Sequence, residues 1–231
     1  MNSLVAALRQ SPVTARVAPF VVFIVITFAQ DWLGAGGRYW FYLAKNLVGA
    51  WMLWAVRPSI QEMQWKLSPL ALCTGIGVFL LWVGLDPLLV KLGCPDSYPK
   101  IKLSGAAWNP HETFGADSVL AWFFILVRIA GSSLVVPLLE EVFFRSFVYR
   151  YLTRADFLSV SLGTFVLRSF LLTSLLFGLE HREWFAGILC GFAYQALVCR
   201  TRRLGDAITA HAITNFLLGC WVITRGAWQF W

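Results

Sequence analysis

Long apolar runs separated by short polar clusters organise this chain. The runs fall at about 17–30, 39–56, 68–90, 118–139, 159–180, 184–199 and 207–224. A helix crossing a bilayer core needs about 20 largely apolar residues, and most of these runs approach that length. Residues 140–154 form a further helical stretch, with charges at helical spacing and aromatics on the other faces. Pro137, just before it, marks a kink or a new helix start. One helix over 118–154 gives seven spans; two give eight. The pattern therefore predicts an all-α fold, a polytopic transmembrane helical bundle of seven or eight spans, with residues 1–231 as a single integral membrane domain.

Composition supports this. Of the 231 residues, 58% are hydrophobic and only 13% are charged, and the mean hydropathy is +0.67. A soluble domain is about 45–50% apolar and about 25% charged, so a disordered chain, a secreted disulfide scaffold and an ordinary soluble enzyme are excluded. The net charge of +7 comes from 19 Lys and Arg against 12 Asp and Glu. The basic residues are scattered between apolar runs, as in loops that face anionic lipid, and no basic helix with interleaved aromatics points to nucleic acid. Three basic linkers, Arg57 to Lys66, Arg150 to Arg154 and Arg200 to Arg203, lie on one side with the N-terminus in a seven-span map. The positive-inside rule makes that side cytoplasmic. The 12 Trp suit interfacial belts. Arg9 and Arg16 precede the first run, but no small-x-small site follows before Gln30 and Asp31, so the run reads as a span. The five cysteines, Cys73, Cys94, Cys190, Cys199 and Cys220, form no CxxC pair and read as small buried hydrophobes. The connection 91–117 reads as an ordered extramembrane loop.

Ionisable groups at membrane depth are costly, so they mark function or specific pairing. Glu141 and Arg145 are four apart and share a helix face as an ion pair, which leaves Glu140 turned about 100° away. An unpaired carboxyl among apolar groups suits general acid–base work; a solvated helix end is the plainer reading of the same residues. His181 ends the run through Phe177-Gly178-Leu179-Glu180, and the order Glu180-His181 is not a zinc HExxH motif. His211 and Asn215 lie i, i+4 on an apolar helix, either as oxyanion donors or as an interhelical hydrogen-bond pair. Asp31, Asp86, Arg128, Arg168 and Asp206 are lone polar residues, with Arg128 and Arg168 in mid-run. A water held between Glu140 and His181, with His211 and Asn215 for the developing oxyanion, makes a complete hydrolytic site.

The set Glu140-Glu141-x-x-x-Arg145, Phe177-x-x-x-His181 and His211-x-x-x-Asn215 resembles the CPBP family of intramembrane proteases. These are the CAAX prenyl proteases of the Ras-converting type and their bacteriocin-processing and abortive-infection relatives. The likeness covers roughly 118–224, the expected protease core. The short Trp-rich chain is also similar to the CAAX-protease-related proteins that accompany exosortase systems. The resemblance implies an endopeptidase in which Glu140 and His181 activate water, His211 and Asn215 hold the oxyanion, and Glu141 and Arg145 support them. The family carries two competing readings, a metalloprotease and a metal-free glutamate mechanism. Two His and one Glu can ligate zinc, here Glu140, His181 and His211, but Asn215 is a poor zinc ligand and a good oxyanion donor, which favours the metal-free one. The expected partners are membrane lipid and a protein or peptide substrate, C-terminally processed or lipidated; in a bacterium the location would be the cytoplasmic (inner) membrane. Alternatives are a non-catalytic membrane scaffold or immunity-type protein and a cysteine transpeptidase using Cys190, or Cys199 with Arg200 and His211. One difficulty stands: seven spans put Glu140 and His211 near one face and His181 near the other, whereas eight leave His211 entering from the opposite side. A site near mid-depth reached through a cavity reconciles either map.

Overall fold

A computed structural model describes residues 2–29, 34–93 and 107–231, and every regular element among them is helical. The helices are α1 (Asn2–Leu8), α2 (Pro12–Ala29), α3 (Gly34–Val56), α4 (Pro69–Lys91), α5 (Pro110–Phe114), α6 (Val119–Thr153), α7 (Leu167–Leu179), α8 (Trp184–Thr201) and α9 (Leu204–Arg225). Local chemistry fixes several starts. Ser68, Asn109 and Ser118 each accept a backbone N–H with the side chain at the helix entrance, and Pro follows at the first position of α4 and α5. Gly226 ends α9 at φ 61°.

Among the described residues, four helices are long and apolar enough to cross a membrane: α2, α4, α6 and α9. Seven helices follow the seven apolar runs, but the run 159–180 is not one span. Its first part is a turn and extended chain, and α7 has only 13 residues, about 20 Å at 1.5 Å per residue. Of the loop expected over 91–117, residues 94–106, with Cys94, lie outside the described residues, as does Asp31, and Pro110–Phe114 form α5.

One end of the bundle gathers the basic linkers. Arg9 donates to the Ala55 carbonyl at 2.6 Å, which joins the N-terminal segment to the end of α3. Glu62, in the linker after α3, accepts from Arg16 of α2 at 2.7 Å, from Arg150 of α6 at 3.3 Å and from the Ser146 hydroxyl at 2.5 Å. Ser68 donates to Asp206 at 2.8 Å, joining the starts of α4 and α9. The Tyr149 hydroxyl donates to the Thr164 carbonyl and accepts from the Val166 N–H, and so ties the end of α6 to the start of α7. Helices α2, α4, α7 and α9 therefore leave this end, and α3, α6 and α8 return to it.

Residues 140–154 are not a separate helix. They continue α6, which has 35 residues and is interrupted by two π turns, at 131–135 and 142–148. Pro137 stands two residues after the end of the first of these. The wider turn has already displaced the hydrogen-bond ladder there, so the ring is accommodated without breaking the helix.

The length of α7 resolves the depth problem. Glu140 lies about 20 Å along α6 from Thr153, and α7, starting from the same end, stops after the same rise. His181 is therefore level with Glu140 instead of at the opposite face. The chain turns back at once into α8, and glycines permit the contact. A Cβ on Gly187 would stand 2.9 Å from Gly178 Cα, and one on Gly191 would stand 2.9 Å from Ser174 Cα. Small residues facing one another let the two backbones approach closely.

Two expectations follow. Gly178→Ala would place its Cβ 2.6 Å from the Ile188 nitrogen and 2.7 Å from the Trp184 carbonyl oxygen, so it should cost about 1–3 kcal/mol, read as a lower Tm in detergent. For Glu62, burial opposes the charge, but Ser146 and Arg16 outweigh it and hold the carboxyl below its usual range. A lowered folded-state pKa gives stability that is complete above the unfolded value, about 4.3, and is lost as pH falls through the folded one. The Tm gap between wild type and Glu62→Gln should be constant near neutrality and close below about pH 4; a gap that persists unchanged in acid would refute this.

Candidate active site

The three motif-bearing helices meet around a single carboxylate. Glu141 on α6 is fully buried; its Oε2 lies 3.2 Å from Arg145 Nε, and its Oε1 accepts from His211 Nδ1 of α9 at 2.9 Å. The Arg145 guanidinium, also fully buried, sits 4.2 Å from the centre of the Phe177 ring of α7 and donates to the Gly191 carbonyl of α8 at 3.5 Å. The ion pair read from the i, i+4 spacing is present, and its outer partners lie on three other helices. Phe177 also packs edge-on to His211, and Tyr194 stacks on the same imidazole with centroids 5.1 Å apart. The His211 ring is thus held by a hydrogen bond at one nitrogen and aromatic faces at its sides.

Glu140 lies beside this node and opens on a cavity. Its Oε2 has no hydrogen-bond partner and stands 3.8 Å from His211 Nε2. His181, at the top of α7, bonds the Phe177 carbonyl through Nδ1 at 2.8 Å. A carbonyl only accepts, so Nδ1 carries the proton and Nε2 holds a lone pair in the neutral ring. Asn215 donates from Nδ2 to the Ser132 carbonyl at 2.8 Å. Ser132 lies in the first π turn, where carbonyls lose their regular helical partners.

Glu140, His181, His211 and Asn215 all line one cavity of about 470 Å³, within the usual size of a small-molecule or peptide site. Glu180 also lines it; in the sequence it counts only as part of an order, Glu180-His181, that is not an HExxH motif. Ligand atoms of Glu140, Glu180 and His181 lie within 4.8 Å of one another. A divalent ion would fit these three, so the clustered donor set takes Glu180 where the zinc reading took His211. The cavity continues away from the carboxylates to Arg38, Lys45 and Arg128, two of them from the half of the chain without motifs.

The other polar residues separate from this site. Asp206 is bonded to Ser68 and Arg203, and Arg168 is exposed. Cys199 contacts Tyr149, Gln195 and the Thr164 carbonyl and makes no contact with His211, which removes the support for that cysteine as a nucleophile. Cys190 is buried and lines the cavity.

Residues 120–217 match the family model of type II CAAX prenyl endopeptidases, Rce1-like. Over these residues the chain is similar to the CAAX protease (CPBP) family. The match begins at the start of α6 and ends inside α9, so it spans all four helices that meet at Glu141. Neither the curated proteins nor the solved structures yield a match.

This Rce1-like core should be most sensitive at Glu141. Glu141→Gln leaves the buried Arg145 guanidinium without its counter-charge, and losing one partner of a buried pair costs about 3–5 kcal/mol. Its Tm should fall well below that of Glu140→Gln, whose side chain pairs with no buried cation; equal losses would contradict the arrangement.

Proposed function

We propose that the protein is an intramembrane endopeptidase that hydrolyses a peptide bond with a water activated by Glu140 and His181. The observation that carries this reading is the convergence on one cavity of the Glu140 carboxyl group and the His181 ring, whose Nε2 lone pair is left by the His181–Phe177 bond, with their ligand atoms within 4.8 Å of one another. A water between them donates one proton to each and keeps an oxygen lone pair for a peptide carbonyl. Glu140 takes a proton as the C–O bond forms, and that proton then passes to the leaving amine.

The developing oxyanion needs donors. Asn215 uses one amide N–H on Ser132 and retains the other. His211 donates from Nδ1 to Glu141, so its Nε2 donates only in the doubly protonated ring, whose charge would sit between the Glu141 and Glu140 carboxylates. Such preorganised donors in a dry site are worth about 10²–10³ in rate each. Phe177 and Arg145 act indirectly, by setting the His181 and His211 rings. We favour the metal-free route because Asn215 presents an amide donor, the chemistry of an oxyanion hole. Four helices long and apolar enough to cross a membrane, with α7 and α8 forming a shorter hairpin between them, support an integral membrane enzyme, which in a bacterium would sit in the inner membrane. Its substrate would be a membrane-associated protein or peptide.

Terminal-peptide mass spectrometry of membranes carrying wild type or Glu140→Gln, at matched abundance, tests this. New peptide ends should vanish in the mutant, with cleavage down by at least about 10²-fold. Identical profiles would leave the non-catalytic scaffold as the function. In purified protein, cleavage should survive a strong chelator; loss on chelation with recovery on adding zinc would instead assign the ion to Glu140, Glu180 and His181.

A further inference from the structure

Arg128 is a cation in the middle of an apolar helix, and the site described above gives it no task. Its guanidinium lies 4.6 Å from the Tyr42 ring centre, 4.9 Å from that of Trp108 and 5.8 Å from that of Trp231. Three rings from three parts of the chain thus surround one charge. Among the described residues no carboxylate pairs with it, and no protein group accepts a hydrogen bond from its nitrogens. None of those nitrogens is sealed away without a partner either. The side chain borders the same cavity as Glu140. Aromatic faces attract a cation but leave the in-plane N–H donors unused, and a planar fork of donors matches a carboxylate.

The helix aligns this group with the catalytic end. Twelve positions separate Arg128 from Glu140, and in an unbroken α-helix they would face about 120° apart. The π turn at 131–135 lies between them, and such a turn absorbs one extra residue. The separation then behaves as about eleven positions, close to three full turns at 3.6 residues each, so both side chains look into one cavity. Arg38 and Lys45 border it too, so the basic residues on the cavity stand apart from Glu140 and Glu180. The rise between the two groups is about 16 Å, and an extended peptide covers about 3.3 Å per residue.

We propose that Arg128, within its cage of Tyr42, Trp108 and Trp231, is a subsite that binds the free C-terminal carboxylate of the substrate peptide and sets the scissile bond about four or five residues upstream. This rests on the peptidase reading for the cleavage register, but binding of the carboxylate is a separate property. Direction follows as well: the C-terminus lies at the Arg128 end, and the chain runs back toward Glu140. An internal segment of a protein offers no such carboxylate and would be a poor ligand.

The test is binding to full-length Glu140→Gln protein in phosphatidylcholine vesicles, which removes turnover. The probes are a fluorescein-labelled Leu/Ala peptide with a free C-terminal carboxylate and the same peptide ending in an amide, followed by anisotropy. The free acid should bind at least ten-fold tighter than the amide. Adding Arg128→Gln should weaken only the acid, down to the level of the amide, and Arg128→Lys should keep part of the preference. Unchanged binding of the amide shows that the variant is folded. Equal binding of acid and amide, or equal weakening of both by Arg128→Gln, overturns the proposal. Phosphatidylglycerol in the vesicles should leave the preference intact; if it abolishes the preference, a lipid phosphate occupies the subsite and the proposal fails. If the acid preference holds while membranes show no Glu140-dependent cleavage, the peptidase reading fails and the carboxylate subsite stands.

Discussion

One buried carboxylate holds the candidate site together. Glu141 accepts from His211 on α9 and faces Arg145 on its own helix, and Arg145 in turn lies against Phe177 of α7 and reaches the α8 backbone. Taking these charges out of water costs several kcal/mol per ion, and pairing recovers that only with good geometry. Such a node is therefore weak evidence for stability as such. Its consequence is positional: it leaves little freedom to the ring of His211 or to the face of α7 from which His181 projects. Glu140, one residue away, makes no hydrogen bond through Oε2, which stands 3.8 Å from His211 Nε2.

The π turns are the second constraint. The six residues 136–141 stand between two of them, so the two glutamates sit on a short α segment whose phase is set from both sides. The first turn exposes the Ser132 carbonyl that Asn215 binds, accommodates Pro137, and rotates the preceding stretch so that Arg128 and Glu140 face the same space. An uninterrupted helix with the same sequence would satisfy more backbone bonds and would separate these groups.

Much of the fold was legible in the sequence because burial in lipid demands long apolar helices, and the runs follow α2 to α4 and α6 to α9. The Glu141–Arg145 pair was legible from its spacing, and the three motifs were legible as a set through a family resemblance. Three things were not. A π turn leaves no periodic signature, since one extra residue in 35 does not disturb hydropathy. The run 159–180 looked like a span because extended chain and helix are equally apolar there, so the early stop of α7 and the level of His181 stayed hidden. The bond between Glu141 and His211 joins residues 70 apart in sequence, and nothing local in either segment announces it. Glu180 was missed for a related reason: its neighbour across the cavity is 40 positions away.

The cavity is polarised along its length, and this bears on how a peptide would enter and leave. Carboxylates and imidazoles crowd one end and cations the other, within a bundle whose exterior is largely apolar. A peptide held through its terminal carboxylate would place its negative end at Arg128, at the far end of the cavity from Glu140 and Glu180. After hydrolysis two new charges appear at the Glu140 end, a carboxylate on one product and an ammonium on the other. The new carboxylate is repelled from the place where it forms, whereas the short product retains its original carboxylate on the cationic side. The same field that orients the substrate thus favours departure of the long product first. Both effects draw on Arg128 and Glu140 of α6 and on Glu180 at the end of α7, and the first half of the chain, which carries none of the motifs, places Arg38 and Lys45 on the same cavity.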